Sequence, residues 1–345
     1  MRAAESLGNP VPAGANAAVQ ATAQESSPAV VPVAFEEPWA DPADRTEPGR
    51  SPFPTDPDRR RAADPHLRDN RAMTPDPRPL SPPAAWQSLG ELRAIAQAAA
   101  MLPRWAQARW RSRSAGEPFA SALVVPGFGT DDHWTRPMRD ALVADGIRAT
   151  GWGLGRNLAG LDLRHRASDV PARWGASWPR PYRGEAAVAM LCERLIPTVL
   201  DTHRREGRPL LLVGWSLGGY LAREVAREHP EAVSGVVTLG SPIVGGPKYT
   251  RAASLYRRRG VDLDWIERAI HERESIPIKV PVLSLYSESD GVVAPSASMD
   301  RHSPEVVHQR VGGSHIGLVV HPPVWRAIVA FARALAEGRG AAIRA

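Results

Sequence analysis

The segment Gly214-Trp215-Ser216-Leu217-Gly218 lies between the apolar run LLLV and a stretch with helical spacing. A serine hydroxyl is a weak nucleophile at neutral pH and needs a base, which in turn needs an orienting acid. Gly-x-Ser-x-Gly alone is a weak signal; a strand before it and a helix after it give it weight. On such a sharp strand-to-helix turn the Oγ stands exposed at the carboxyl edge of a sheet, and only small flanking residues leave room for the turn. The N-terminus of the following helix favours negative charge developing beside it.

The rest of the chain supplies the partners in the order Ser…Asp…His. SESDGVVAP places Asp290 just past the run VLSLYS, and GGSHIG places His315 just past EVVHQRV. Both positions fall in loops expected at the same sheet edge as Ser216. Glu288, two residues before Asp290, is the competing acid. His321 precedes two prolines at a helix start and reads as a cap or surface residue. His302 and His308 fall before or within a strand, and Asp262 and Asp264 fall in an expected lid. The glycine-rich turn Val125-Pro126-Gly127-Phe128-Gly129 offers backbone N–H groups to a tetrahedral oxyanion. Phe128 N–H is expected as one donor and Leu217 N–H, immediately after the nucleophile, as the other. The chemistry such a set performs is acyl transfer through an acyl-enzyme.

The elements that must position these residues follow from the pattern around them. From Phe119 onward short apolar runs alternate with helical stretches: ASALVV, IRATGWG, PLLLVG, VSGVVTLG, PVLSLYS and EVVHQRV as strands, with helices near 134–145, 185–205, 217–230 and 323–335. Repeated βα units predict an α/β fold, a mostly parallel sheet with helices on both faces. Of 345 residues, 43% are hydrophobic and 23% charged, enough for a sizeable core. Sixteen of the 34 prolines fall between Pro10 and Pro83, so residues 1–85 read as a disordered Pro-rich tail. Residues 86–118 read as a helical lead-in. Its Arg and Trp residues suit packing on the domain that follows, with peripheral membrane contact through 86–113 as the other reading.

Several function classes drop out. The formal net charge is +6, but only Lys248 and Lys279 are lysines, and no basic run interleaves with aromatics, so no nucleic-acid partner is expected. That charge is expected to serve solubility. The single cysteine, Cys192, lies in the apolar run AVAMLC and reads as a small buried hydrophobe. No His-Glu-x-x-His and no dinucleotide glycine fingerprint occurs, so neither metal nor cofactor is expected. With no apolar h-region at the start and no stretch long enough to span a bilayer, a cytoplasmic protein is expected.

These pieces together resemble the α/β-hydrolase superfamily, in its bacterial lipase/esterase-like branch. The resemblance is carried by VVPGFG, GWGLGRN at 151–157, VGWSLGGYLARE ending at Glu224, VTLGSP at 237–242, YSESDGVV at 286–293 and GSHIGL at 313–318. It spans about residues 119–338. It implies an α/β-hydrolase fold with Ser216, Asp290 and His315 as the triad, acting on small-molecule or lipid esters. Pro126-Gly127 stands where many lipases have His-Gly. The roughly 40 residues from 243 to 280, with 255–272 reading as helix, resemble a small cap over the substrate pocket, and Trp134, Trp215 and Trp265 are candidates to line it. An acyltransferase using the same acyl-enzyme is the alternative, and a non-catalytic binding protein a weaker one.

Overall fold

Among the described residues, six segments form strands in the computed structural model: β1 Ala120–Val125, β2 Ile147–Gly151, β3 Leu210–Trp215, β4 Val233–Leu239, β5 Val282–Tyr286 and β6 Val306–Arg310. The structure describes residues 80–84, 91, 99, 103, 105–112, 116–175 and 177–338. The strands pair in parallel throughout, in the order β2-β1-β3-β4-β5-β6. The helices are α1 Asp132–Ala144, α2 Ala187–Glu206, α3 Leu217–Glu228, α4 Ala253–Arg258, α5 Leu263–Arg273, α6 Gly317–Val320 and α7 Pro322–Ala336.

The inner strands β1, β3, β4 and β5 are largely apolar because both their faces are covered, whereas the edge strands β2 and β6 carry Arg148, His308 and Arg310. Leu123, Val125, Leu210, Leu212 and Val236 face Leu191, Leu195 and Val199 of α2 and Leu221 and Val225 of α3. Their alternating neighbours Ala122, Val124, Leu211, Val213 and Val237 face Met138 and Leu142 of α1 and Val324, Ile328 and Phe331 of α7. The two-residue period of a strand sorts them onto the two faces. Each fully buried Leu or Val side chain contributes about 1.5–3 kcal/mol. Cys192 is buried and unpaired in the first of these layers.

Not all the basic charge serves solubility. Arg223 and Arg227 of α3 are buried, as are Arg273 at the end of α5 and Glu224, Glu274 and Asp300 around them. Arg223 pairs with Asp300 and, at 3.1 Å, with Glu274. Arg227 reaches Glu274 at 3.2 Å, and Arg273 reaches Glu224 at 2.7 Å. An arginine-rich composition says nothing of which arginines face inward; burial here follows from the position of Arg223 and Arg227 on the α3 face turned toward the cap.

The expected cap helix over 255–272 is two helices, α4 and α5. Gly260 takes a left-handed φ of 73° between them, and Asp262 then caps α5, accepting from the N–H groups of Asp264 and Trp265 at 3.0 and 2.9 Å. Of the expected tail, residues 1–79 and 85 lie outside the described residues. Leu80, inside that expected tail, packs against Val293, Ala294 and Ala297 on the domain. In the lead-in, residues 105–112 are helical and tied to α1: Trp105 Nε1 donates to Asp140 at 2.9 Å and Arg111 pairs with Asp145 at 3.2 Å. Among the described residues, no helix is long and apolar enough to cross a membrane.

Candidate active site

Ser216 joins β3 to α3 with φ 55° and ψ −125°, a conformation a non-glycine residue holds only under constraint from its surroundings. Room for the turn comes from glycine: a methyl group on Gly218 would collide with the Val125 carbonyl of β1. The Ser216 N–H donates to Leu239 O of β4 at 2.8 Å, which anchors the turn to the sheet.

Asp290 and His315 converge from loops that follow β5 and β6. His315 Nδ1 lies 2.7 Å from Asp290 Oδ2, and both side chains are buried. Asp290 Oδ1 is occupied separately, accepting from the N–H groups of Val292 and Val293 at 2.8 Å each. With one oxygen fixed by backbone, the other is aimed at the ring and sets Nδ1 as the protonated nitrogen, leaving Nε2 as the basic one. Burial disfavours the imidazolium, yet the Asp290 carboxylate, its hydrogen bond and the charge of Glu91 together hold His315 above the ordinary histidine value. A Cβ on Gly240, at the end of β4, would come within 2.7 Å of Asp290 Oδ2; its φ of 52° also disfavours a side chain.

Other bonds lock the two loops together. Ser287 Oγ donates to Gly313 O at 2.5 Å, and Trp215 Nε1 donates to His315 O at 3.1 Å. Glu91, from the lead-in, accepts from the N–H groups of Gly291, His315 and Ile316 at 3.0, 2.9 and 3.0 Å. Nothing local in the sequence around Glu91 marks it, since its partners lie 200 or more positions away.

The turn after β1 is held by Asn157, which is fully buried. Its Nδ2 donates to Pro126 O at 2.8 Å, its backbone carbonyl accepts from Gly129 N–H at 2.7 Å, and its own N–H donates to Thr130 O at 2.8 Å. The GWGLGRN segment contains this residue, but no chemistry in its side chain distinguishes it beforehand. Among the described residues, neither Phe128 N–H nor Leu217 N–H donates to a protein acceptor.

Ser216, His315, Phe128 and Leu217 border one cavity of about 320 Å³. No hydrogen bond links Ser216 directly to His315 in this geometry; such contacts often tighten only around substrate. The walls are aromatic: Trp134, Trp215 and Trp265 all line the cavity, joined by Trp174, Trp178 and Tyr256. Glu288, His302, His308, His321, Asp262 and Asp264 do not line it. Glu288 is exposed, whereas Asp290 is 1% exposed. His321 occupies the N-cap position of α7 without a side-chain capping bond, and burial lowers His308. Among the described residues, no group of three or more His, Cys, Asp or Glu side chains is placed to hold a metal ion.

The strand order, the strained turn after β3 and the placement of Asp290 and His315 after β5 and β6 define an α/β-hydrolase fold. No protein-family model matches the chain, and no curated protein matches it. Among solved structures, it is similar to a monoacylglycerol lipase of Paleococcus ferrophilus, with 15% identity over 64% of this chain and 97% of that one, at a TM-score of 0.40. A soluble variant of monoglyceride lipase from Saccharomyces cerevisiae matches at 14% over 64% and 87%, at 0.39. A thioesterase domain from the curacin biosynthetic pathway matches at 13% over 62% and 90%, at 0.38. Those names describe those proteins.

Proposed function

We propose that this protein is a carboxylic ester hydrolase working through Ser216, His315 and Asp290. The observation that carries the reading is the buried His315–Asp290 pair, 2.7 Å apart, with His315 and a strained Ser216 lining the same cavity. In this mechanism Ser216 Oγ attacks the acyl carbon while His315 Nε2 takes its proton, and Asp290 holds the resulting imidazolium. The N–H groups of Phe128 and Leu217 receive the oxyanion. His315 returns the proton to the departing alcohol. It then deprotonates a water that attacks the acyl-enzyme, and the acid leaves as Ser216 regains its proton.

The cavity supports an apolar substrate. Indole and phenol rings supply much of its wall, so burial of hydrocarbon is the main binding contribution available there. Covalent labelling by a fluorophosphonate, followed by rates over p-nitrophenyl esters of increasing acyl length, tests both parts. The wild type should label and hydrolyse, and Ser216→Ala should do neither. Labelling of the Ser216→Ala protein at the wild-type rate would remove the nucleophile from this reading.

A further inference from the structure

Asp290 and His315 lie on different loops, 25 positions apart, and their 2.7 Å contact exists only if those loops stay in register. One carboxylate bonds to both. Glu91 Oε1 accepts from Gly291 N–H, directly after the acid, and from His315 N–H; its Oε2 accepts from Ile316 N–H, directly after the base. These three are charge-assisted bonds to backbone, stronger and more directional than neutral ones. They enter from the lead-in, outside the sheet.

We infer that Glu91 is a positioning residue for the hydrolytic reaction, bridging the acid loop to the base loop so that His315 is presented to Ser216 in one orientation. The inference rests on the triad reading above. A purely structural anchor could bond any turn of either loop; this one bonds the residues adjoining both catalytic side chains. It also acts electrically. The carboxylates bearing on the His315 ring are Asp290, from the loop after β5, and Glu91, from the lead-in, and both favour the protonated ring against burial.

The test uses the full chain with Glu91→Ala and Glu91→Gln, beside Ser216→Ala, assayed on a short p-nitrophenyl ester from about pH 5 to pH 9 and normalised to active sites by fluorophosphonate titration. Glu91→Ala should lower kcat roughly 10- to 100-fold with KM changed little, the scale expected when a catalytic group is displaced by about an ångström. Glu91→Gln retains Oε1 as the acceptor for Gly291 and His315, so it should recover much of kcat. It should still shift the acidic midpoint of kcat downward, because the charge is gone. If Glu91→Ala fails to fold, the Glu91→Gln midpoint carries the test. Wild-type kcat per active site together with an unmoved midpoint in Glu91→Gln would overturn the inference, and so would losses that only track the amount of folded protein. Wild-type activity in Ser216→Ala would instead remove the triad reading, and this inference with it.

Discussion

Helix α3 has buried charge at both ends, organised in opposite ways. At its N-terminus the Ser216 turn lies beside His315, whose ring is paired with Asp290 and which gains and loses a proton in the proposed mechanism. Toward its C-terminus Arg223, Glu224 and Arg227 meet Glu274, Arg273 and Asp300 in a web of ion pairs. There the cations are arginines, which do not titrate in the working range, so each charge is fixed. Asp300 shows the consequence: burial pushes its carboxyl up, but the charge of Arg223, with hydrogen bonds from the Ser303 hydroxyl and the Ser303 and His302 N–H groups, outweighs this and holds it at about 2. In the proposed mechanism, buried charge is tolerated at one end because it never changes and useful at the other because it does. The web also joins α3 to the end of the cap and to the segment before β6, bracing the helix that follows Ser216.

Breaking the N-terminal end should cost the most. Ser216→Ala should reduce ester hydrolysis by several orders of magnitude while leaving the far-ultraviolet spectrum unchanged. Asp290→Asn leaves the imidazole without its orienting acceptor and should cost about 10⁴ in kcat, measured at saturating ester.

The opposite end should answer in stability. Arg223→Met strands Asp300 as a buried carboxylate, and chemical denaturation should show a loss of about 3–5 kcal/mol. The depressed Asp300 contributes stability that is present above the unfolded value near 3.9 and is lost as pH falls through about 2. Without Arg223 that depression shrinks, so the acid-unfolding midpoint of Arg223→Met should rise. The variant fails to support the comparison if it loses activity per active site while its stability is unchanged.

Two smaller effects sharpen the contrast. His315 must be neutral to accept the serine proton, and its value is raised, so the acidic limb of kcat/KM should have its midpoint above about 6.5. Glu288→Gln, at an exposed position, should change kcat less than about twofold, in steady-state rates beside those of Asp290→Asn.

Much of the sheet and elbow could be read from sequence because their signals are local. The Ser216 turn is bounded by an apolar run and a helical pattern, and Asp290 and His315 each follow a strand-like run by a few residues. The break in the cap is not legible because the periodicity of LYRRRGVDLDWIERAIHE runs across Gly260, while the stop there depends on backbone conformation and the Asp262 cap. Leu80 reads as tail because prolines surround it, and its partial burial depends on a surface supplied by residues 293–297. Glu91, Asn157 and the α3 charges stayed hidden for one shared reason. Each acts on groups brought near only by the finished fold, and a backbone N–H carries no residue identity from which to infer its acceptor.

The indole of Trp215, one residue before Ser216, is bonded to the carbonyl of His315 and lies against its ring, with centroids 5.6 Å apart. Serine and histidine are therefore carried on parts that are mechanically joined, rather than on two loops that drift separately. On heating, their separation should hold until the joint itself gives way. Inactivation and the loss of the near-ultraviolet tryptophan signal should then share one transition temperature.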